Sequence, residues 1–162
     1  MNIGEVCTRE VVTAGRRDTV TNAAELMRKH HVGDLLVTDR IADRVLPVGI
    51  VTDRDIVIEV VAPRIDPDSL TVGDIMGQKL ITARESEGVF EVLQRMRVEG
   101  IRRIPVVDQC GGLVGIMTID DLLEIIAEEL SELSKLVSRQ KLHEQRTRPA
   151  PLSGVSLDRQ QA

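Results

Sequence analysis

Two short phrases place the same polar residues at the same spacing, GIVTDRDIV at residues 49–57 and GIMTIDDLL at residues 115–123. In each phrase, Thr follows Gly by three residues and is itself followed three residues later by Asp. A Thr and an acid at this spacing are typical of a capping box at the start of a helix. The same pair could instead hold a ligand, because a helix N-terminus favours a phosphate and a carboxylate accepts hydrogen bonds from a ribose diol. The segment TVGD at residues 71–74 has the same spacing, so a single match does not decide between the two interpretations.

A metal-binding interpretation rests on Asp53 and Asp55, which stand two residues apart in the first phrase. Asp53 corresponds to Ile119 in the second phrase, so the pair is not repeated. The neighbours Asp120 and Asp121 would point to different sides of a helix. Comparison of the two copies therefore argues against a shared metal site.

The remaining residues that could do chemistry are scattered along the chain. Cys7 and Cys110 lack metal-ligand spacing, and we interpret them as free thiols in a reducing compartment. His30, His31 and His143 are interpreted as solvated surface residues. The chain has no G-x-S-x-G, H-E-x-x-H, P-loop or G-x-G-x-x-G motif. We therefore predict no catalytic residues and no enzyme activity.

The two phrases belong to an internal repeat. At a shift of 69 residues Thr13 aligns with Thr82, and from Val48 onward the shift falls to 66. The three residues that the second copy lacks fall between Asp39 and Val48. Because loops absorb length changes more readily than helices or strands, we predict a turn in this segment. The dipeptide Gly111-Gly112 suits a hairpin turn in the second copy.

Hydrophobic periodicity predicts the same order of elements in each copy, namely strand, helix, strand, turn, strand, helix. The apolar stripes of the first helices are Val20, Ala23, Ala24 and Met27 in one copy and Val89, Val92, Leu93 and Met96 in the other. A unit of about 60 residues buries little core alone. The predicted fold is therefore α/β (α+β), with two β-α-β-β-α units packed with pseudo-twofold symmetry. We predict a first unit at residues 1–63, a second at 64–130 and a C-terminal extension at 131–162.

The last predicted helix extends beyond its counterpart in the first copy. Its apolar residues Ile126, Leu130, Leu133 and Val137 keep a 4-3-4 spacing, a run too short to predict a coiled coil. We interpret the stripe as a face that packs on its own domain or on a dimer mate. The polar tail after Arg148 is expected to be disordered.

The composition excludes several classes of partner. Aromatic residues make up 1% of the chain, with Phe90 alone, so Val, Ile, Leu and Met must form the core. The chain offers no Tyr or Trp on which bases could stack, and its net charge of −5 argues against a surface that follows phosphates. No segment approaches the roughly 20 apolar residues of a membrane span, and the N-terminus does not resemble a signal peptide. We expect a cytoplasmic protein that binds neither nucleic acid nor membrane.

The sequence resembles a tandem pair of CBS domains, also called a Bateman module, over residues 1–130. The resemblance rests on the two G-[IV]-[VM]-T-x-x-D phrases, on TVTNAAELM with its helical stripe, and on GIRRIPVVD. It implies two β-α-β-β-α units whose clefts bind adenosyl ligands such as AMP, ADP, ATP, NAD or S-adenosylmethionine. It also implies a regulatory module that forms a homodimer and uses no catalytic cofactor.

The resemblance further implies the residues that would form two nucleotide sites. The Thr and the final Asp of each phrase would hold phosphate-side atoms and ribose, and the segments Val12-Thr13 and Ile81-Thr82 would line the base. The full set of implied nucleotide-binding residues is Val12, Thr13, Val32, Gly33, Asp34, Thr52, Arg54, Asp55, Ile81, Thr82, Arg102, Arg103, Ile104, Pro105, Thr118, Asp120 and Asp121.

The two implied sites differ in charge. Arg102 and Arg103 match basic positions that contact phosphates in many members of the family, whereas the first copy has Gly33 and Asp34 there. An uncompensated Asp34 in a partly desolvated site would repel a phosphate by roughly a few kcal/mol. We therefore expect the two sites to be inequivalent.

Three functional hypotheses remain open at this point. The first is a sensor of adenosyl ligands, acting as a homodimer, in which the ligand changes the packing of the halves. The second is a structural or interaction module with degenerate sites that docks an unidentified protein partner through the C-terminal helix. The third is a metal-dependent enzyme that uses Asp53 and Asp55.

Overall fold

The computed structural model describes residues 1–147, which begin with one compact unit at Met1–Asp121 and continue into a second unit from Leu122. The strands of this part of the chain are β1 (Thr13–Gly15), β2 (Asp34–Ile41), β3 (Arg44–Thr52), β4 (Ala83–Arg84), β5 (Arg103–Val107) and β6 (Leu113–Thr118). The helices are α1 (Ile3–Val6), α2 (Val20–His30), α3 (Asp53–Ile56) with a π-helical continuation (Val57–Val61), α4 (Val72–Ile75), α5 (Val89–Glu99) and α6 (Ile119–Thr147).

Each copy of the repeat forms one three-stranded sheet. The strand orders are β1-β2-β3 and β4-β5-β6. In both sheets the first two strands are parallel and the last two are antiparallel. This arrangement confirms the α/β class and the predicted order of strand, helix, strand, turn, strand, helix.

The helices that connect the parallel strands form where the sequence predicts them. In α2, Thr19 accepts a hydrogen bond from the Asn22 amide at 3.2 Å, and His31 ends the helix in the left-handed conformation. In α5, Gly100 ends the helix with a φ of 66°, a conformation that glycine adopts without a Cβ penalty. The predicted apolar stripes face the core through Val20, Ala23 and Met27 in α2 and Val89, Val92 and Met96 in α5, whereas Ala24 is exposed.

The hairpin of the first copy differs from the predicted turn. Strands β2 and β3 continue to Ile41 and from Arg44, so only Ala42 and Asp43 connect them. The additional residues of this copy therefore lengthen a β-ladder, because a hairpin can grow at its tip without disturbing the core below it. In the second copy Gly111 has a φ of 83°, as its place in a tight turn requires.

The core is aliphatic, as the composition predicts. One cluster of buried residues comprises Ala14, Ala23, Met27, Leu35, Val37, Val51 and Val72. The one aromatic residue, Phe90, is 75% exposed on α5. Val72 is notable in this cluster, because it comes from the second copy of the repeat and packs among residues of the first.

The short helix α1 does the converse, because it belongs to the first copy and packs on the second. We call this reciprocal packing the exchange of segments. Helix α1 precedes the first sheet in sequence, yet Ile3 donates its amide to the Glu87 carbonyl at 2.8 Å and Gly4 donates to the Glu85 carbonyl at 3.0 Å. A Cβ on Gly4 would lie 2.7 Å from the Glu85 Cβ. The N-terminus of the chain is thus fixed against the second copy.

Helix α4 makes the corresponding contacts with the first copy. Val72 donates its amide to the Asp18 carbonyl at 2.8 Å, and Gly73 donates to the Arg16 carbonyl at 2.9 Å. The periodicity argument missed α1 and α4 because helices of four residues are shorter than any window in which an apolar stripe can be recognised. Each copy is completed by a segment of the other.

Helix α6 confirms the predicted helical extension and runs for 29 residues. Neither α6 nor any other helix within residues 1–147 has an apolar stretch that could cross a membrane. The prediction of disorder after Arg148 falls outside the described residues.

The close packing of the segment after α1 against β6 predicts that a side chain larger than hydrogen at Gly115 lowers the stability of the fold. A Cβ at this position would lie 2.6 Å from the Thr8 carbonyl oxygen and 2.8 Å from the Cys7 sulfur. We expect Gly115→Ala to lower the free energy of unfolding by about 1–3 kcal/mol, the usual cost of overpacking, measured by urea denaturation. Gly77→Ala is the matched control, because its nearest contact would lie at 3.9 Å. Equal effects of the two substitutions would contradict this account.

Candidate functional site

The Thr and Asp of the first phrase form a capping box at the start of α3. The Thr52 hydroxyl donates to Asp55 Oδ2 at 2.8 Å and accepts from the Asp55 amide at 3.2 Å. The Thr52 amide donates to the same carboxylate oxygen at 2.8 Å. These bonds hold the carboxylate at the junction of β3 and α3, and Oδ1 of Asp55 has no hydrogen-bond partner within residues 1–147.

The second phrase repeats this arrangement at the start of α6. Thr118 donates to Asp121 Oδ2 from its amide at 2.8 Å and from its hydroxyl at 2.7 Å, and its hydroxyl accepts from the Asp121 amide at 3.2 Å. Oδ1 of Asp121 is likewise without a hydrogen-bond partner in the described part of the chain. The capping interpretation is therefore confirmed, and each carboxylate retains one oxygen that could accept from a ligand.

Thr71 and Asp74 show that capping alone does not make a site. The Thr71 amide and hydroxyl donate to Asp74 Oδ2 at 2.8 and 2.7 Å at the start of α4. Asp74 is exposed and does not line the cleft described next. The second phrase differs from this segment, because Asp121 lines a cleft.

A cleft of about 220 Å³ lies in front of Asp121. Its walls combine the segment before β1, the start of β2 and the end of β6, so both copies of the repeat contribute to it. The lining residues are Thr8, Glu10, Val11, Val12, Val32, Asp34, Leu36, Ile116, Thr118 and Asp121. We call this cavity the first cleft.

Five residues of the implied nucleotide set meet in the first cleft: Val12, Val32, Asp34, Thr118 and Asp121. The segment that would line the base thus belongs to one copy, and the capped carboxylate in front of it belongs to the other. Sequence reasoning did not pair them in this way, because the pairing follows from the exchange of segments and not from distance along the chain.

Sequence reasoning also missed several residues of the cleft. Ile116 stands within the second phrase and could have been found from its position in β6. Thr8 and Glu10 precede Thr13, the position from which the two copies were aligned, and carried no comparable signal. Thr8 is held there because it exchanges amide and carbonyl hydrogen bonds of 2.9 Å with Ile116.

Several of the remaining implied residues lie outside the first cleft, and Ile81 and Thr82 are half-buried just before β4. Thr13 pairs with Leu36 in the first sheet, Gly33 is exposed beside Asp53, and Arg54 and Asp120 are exposed in the first turns of α3 and α6. Arg102 lines a different hollow, with Leu93, Met96, Ile101 and Ile119 among its other walls.

Ile104 requires a correction. Its side chain is fully buried in β5 and offers no surface to a ligand. Pro105 is also buried, because both faces of β5 are covered from Ile104 to Val107.

The glycines of the two phrases serve packing within the chain. A Cβ on Gly49 would lie 2.5 Å from the Met76 sulfur, and a Cβ on Gly115 would meet Thr8 and Cys7. The close approach that these glycines allow is therefore that of the exchanged segment from the other copy. Cys7 is a buried free thiol whose pKa is raised by burial, and Cys110 is an exposed free thiol.

Asp34 and Arg103 connect the two copies electrostatically. They occupy equivalent positions at the start of β2 and β5, and Arg103 Nη1 lies 2.5 Å from Asp34 Oδ1. Their side chains are 21% and 32% exposed. Burial raises the pKa of the Asp34 carboxyl above its ordinary value, and Asp53 adds to the rise while Arg103 opposes it. The repulsive carboxylate that the sequence indicated is thus paired with the arginine of the other copy.

The Asp53–Asp55 metal hypothesis gains no partner residues from the fold. Asp53 Oδ1 accepts from the Arg54 amide at 2.7 Å, and Asp55 Oδ2 is engaged by Thr52. Within residues 1–147, no group of three or more His, Cys, Asp or Glu residues is placed to hold a metal ion.

The fold and the two Thr–Asp pairs define a tandem-repeat protein in which the two intertwined α/β copies both contribute to the first cleft. The model of the family described as CBS domain matches residues 3–62 and again residues 72–128. The chain belongs to the CBS-domain family and contains a tandem pair, as the resemblance implied.

Two relatives illustrate the range of the family. The protein MK0525 of Methanopyrus kandleri is 38% identical over 125 residues, which are 77% of this chain and 62% of that protein. The chain therefore spans less than two thirds of that relative. Hypoxic response protein 1 of Mycobacterium tuberculosis is 33% identical over 131 residues, covering 79% of this chain and 82% of that protein.

Solved structures of CBS-domain proteins share the fold. The CBS domain pair of protein MJ0100, in complex with 5′-methylthioadenosine and S-adenosyl-L-methionine, has a TM-score of 0.67 at 28% identity, covering 80% of this chain and 98% of that one. Protein PAE2072 from Pyrobaculum aerophilum, complexed with AMP, has a TM-score of 0.66 at 30% identity over 78% and 99%. Hypoxic Response Protein I with two coordinated zinc ions has a TM-score of 0.66 at 31% identity over 76% and 98%.

The position of the Asp34–Arg103 pair predicts a strong coupling between the two residues. In a double-mutant cycle with Asp34→Asn and Arg103→Met, we expect a coupling energy of about 1–3 kcal/mol, because both charged groups are largely withdrawn from water. The cycle is measured by urea denaturation at pH 7.

The control is the Lys79–Glu99 pair, which also joins a basic and an acidic side chain. Its Nζ and Oε2 atoms lie 2.9 Å apart, and the Lys79 side chain is 76% exposed. An exposed pair contributes about 0.2–1 kcal/mol. A coupling energy for Asp34–Arg103 that does not exceed that of Lys79–Glu99 would refute the prediction.

Proposed function

We propose that the chain is a regulatory module that binds adenosyl ligands in the clefts between its two CBS units. The observation that carries the proposal is the position of Asp121, whose free Oδ1 stands at a cleft with apolar walls and a Thr-capped helix N-terminus. A carboxylate held in this way accepts from both hydroxyls of a ribose, and Val11, Val12 and Val32 offer an apolar surface to an adenine ring.

The related structures support the ligand class. MJ0100 was crystallised with 5′-methylthioadenosine and S-adenosyl-L-methionine and PAE2072 with AMP, compounds that share an adenosyl group. The first cleft measures about 220 Å³, which is below the roughly 300–1,000 Å³ of sites for drug-sized ligands. It matches a nucleoside whose 5′ substituent extends towards solvent.

A ligand bound in such a cleft would contact both copies of the repeat and so link the two CBS domains. The walls of the first cleft come from both copies of the repeat, and ligand contacts to both stabilise one packing of the units over any other. A ligand shifts such an equilibrium only through a difference in affinity for the two states. We propose that the signal passes as a change in the packing of the units or in the association of a homodimer, and reaches an unidentified protein partner.

A thermal-shift series with AMP, ADP, ATP, NAD, S-adenosylmethionine and 5′-methylthioadenosine tests the proposal. A ligand present at 100 times its dissociation constant should stabilise the protein by about 2.7 kcal/mol. We expect Asp55→Asn and Asp121→Asn each to reduce the stabilisation by at least one of these compounds, and the double variant to abolish the stabilisation by all of them.

Asp74→Asn is the matched control, because Asp74 caps α4 with the same bonds but does not line the first cleft. Its baseline stability measures the cost of a weakened cap alone, while its response to ligand should equal that of the parent chain. Absence of a shift with every compound at millimolar concentration would instead favour the module with degenerate sites.

A further inference from the structure

The ionisable residues that line the first cleft are all acidic. Its ionisable lining residues are Glu10, Asp34 and Asp121, and none of its ten lining residues within residues 1–147 is Lys or Arg. Arg103 reaches Asp34 from the other copy, but Glu10 and Asp121 form no ion pair in the described part of the chain. An anion entering this cleft meets carboxylates.

Two of the three equivalent positions in the other copy carry the opposite charge. At the repeat shifts of 69 and 66 residues, Glu10 corresponds to Lys79, Asp34 to Arg103 and Asp121 to Asp55. The structure supports this equivalence directly, because Thr8 donates to the Ile116 carbonyl at 2.9 Å as Gly77 donates to the Ile50 carbonyl at 3.2 Å. We call the equivalent place in front of Asp55, inferred from the repeat, the second cleft.

The Asp34–Arg103 pair lies between the two clefts. In the sheets Asp34 pairs with Thr52 and Arg103 pairs with Thr118, so each stands beside the Thr of its own copy. The Asp34 side chain nevertheless lines the cleft that contains Thr118. By the equivalence of the two copies, we expect the Arg103 side chain at the cleft that contains Thr52.

We infer that the two clefts select adenosyl ligands by charge, an inference that rests on the proposed function. The second cleft takes a phosphorylated adenosine, which Arg103 attracts, whereas Lys79 adds little because it is 76% exposed and paired with Glu99. The first cleft rejects the phosphate and takes an adenosine with an uncharged or cationic 5′ substituent. Coulomb interactions at such short range are strong wherever the groups are partly withdrawn from water.

Calorimetric titration with AMP and with S-adenosylmethionine tests this inference. We expect one AMP per chain, whose binding is lost in Asp55→Asn and retained in Asp121→Asn. S-Adenosylmethionine should show the reverse dependence. Because 5′-methylthioadenosine is uncharged, comparing the two compounds separates the effect of the sulfonium cation of S-adenosylmethionine from that of the nucleoside. Two molecules of AMP per chain, or loss of AMP binding in both variants, would overturn the inference.

Reversal of one charge in the first cleft provides a second test of the inference. Glu10→Lys gives the first cleft the residue of the second, and we expect AMP to bind there about tenfold more tightly, so that a second molecule per chain becomes detectable. Glu25→Lys makes the same change of net charge on the exposed face of α2 and should leave the stoichiometry at one. If no adenosyl compound binds to any variant, the proposed function itself fails, which is a different outcome.

A separate observation concerns the exposed apolar stripe of α6. Leu130, Leu133, Leu136 and Val137 are between 53% and 62% exposed. Leu123 and Ile126 continue the stripe towards the N-terminal end of the helix with a 3-4-3-4 spacing to Val137. Such a stripe is the seam that a second helix covers.

The charges of α6 are segregated along its length. Every charged residue from Ile119 to Ser134 is acidic, whereas from Lys135 to Thr147 the basic residues Lys135, Arg139, Lys141 and Arg146 accompany one acid, Glu144. The helix dipole favours acids at the start and bases at the end, but only within the first and last turns. The segregation extends over about four turns on each side of Ser134, which is more than the dipole explains.

We propose that α6 pairs with α6 of a second copy of this chain in antiparallel orientation, crossing near Leu133. In this orientation the acidic half of each helix faces the basic half of the other, and the apolar stripes meet. A parallel pair would place like charges together along both halves. The complementarity therefore identifies the occupant as a second copy and fixes its direction.

Sedimentation of the full chain at low and high salt tests the pairing. We expect association that weakens by about tenfold or more from 50 to 500 mM salt, since screening removes the attraction of opposite charges; a parallel pair would strengthen instead. Leu130→Ser with Leu133→Ser should lower the association state. The control, Phe90→Ser with Val98→Ser, removes side chains of 75% and 79% exposure from α5 and should not. Monomeric parent protein, or association indifferent to the α6 variant, would refute the proposal.

Discussion

The hydrogen bonds that fix α1 and α4 on the opposite copy are the constraint on which the rest of the structure depends. Ile3 and Gly4 donate to the loop before α5, and Val72 and Gly73 donate to the loop before α2, at nearly equal distances. Val72 then enters the core of the first copy. Because each sheet is completed by a segment that the other copy supplies, the two copies form one compact unit and not two neighbouring domains.

The clefts are a consequence of this exchange. The chain that leaves α1 crosses to β6 at Thr8 before it enters β1, and it places Val12 opposite Asp121. The capping boxes hold the carboxylates at the helix starts with one oxygen free, so a single Thr–Asp pair both stabilises a helix and presents an acceptor. Thr71 and Asp74 make the same bonds to the carboxylate but do not line the first cleft, which separates the two roles.

Charge then distinguishes clefts that the repeat made alike. The difference at Asp34 and Arg103 would leave one cleft with an unpaired carboxylate if each copy stood alone. The exchange brings the two residues together, so the asymmetry becomes an ion pair between the clefts and not a cost to folding. Membership of the CBS-domain family accounts for the shared architecture.

The repeat, the order of the main elements, the aliphatic core and the Thr–Asp pairs could be predicted from the amino-acid sequence, because all of these depend on periodicity or on residues a few positions apart. Three features follow only from the packing in three dimensions. Val12 of the first copy faces Asp121 of the second. Gly49 and Gly115 allow a segment of the other copy to approach the backbone closely, and Ile104 is buried. The tertiary structure also revealed α1 and α4, whose four residues carry no period. These features join residues up to about a hundred positions apart, as Thr8 and Ile116 show, and only packing brings such residues into contact.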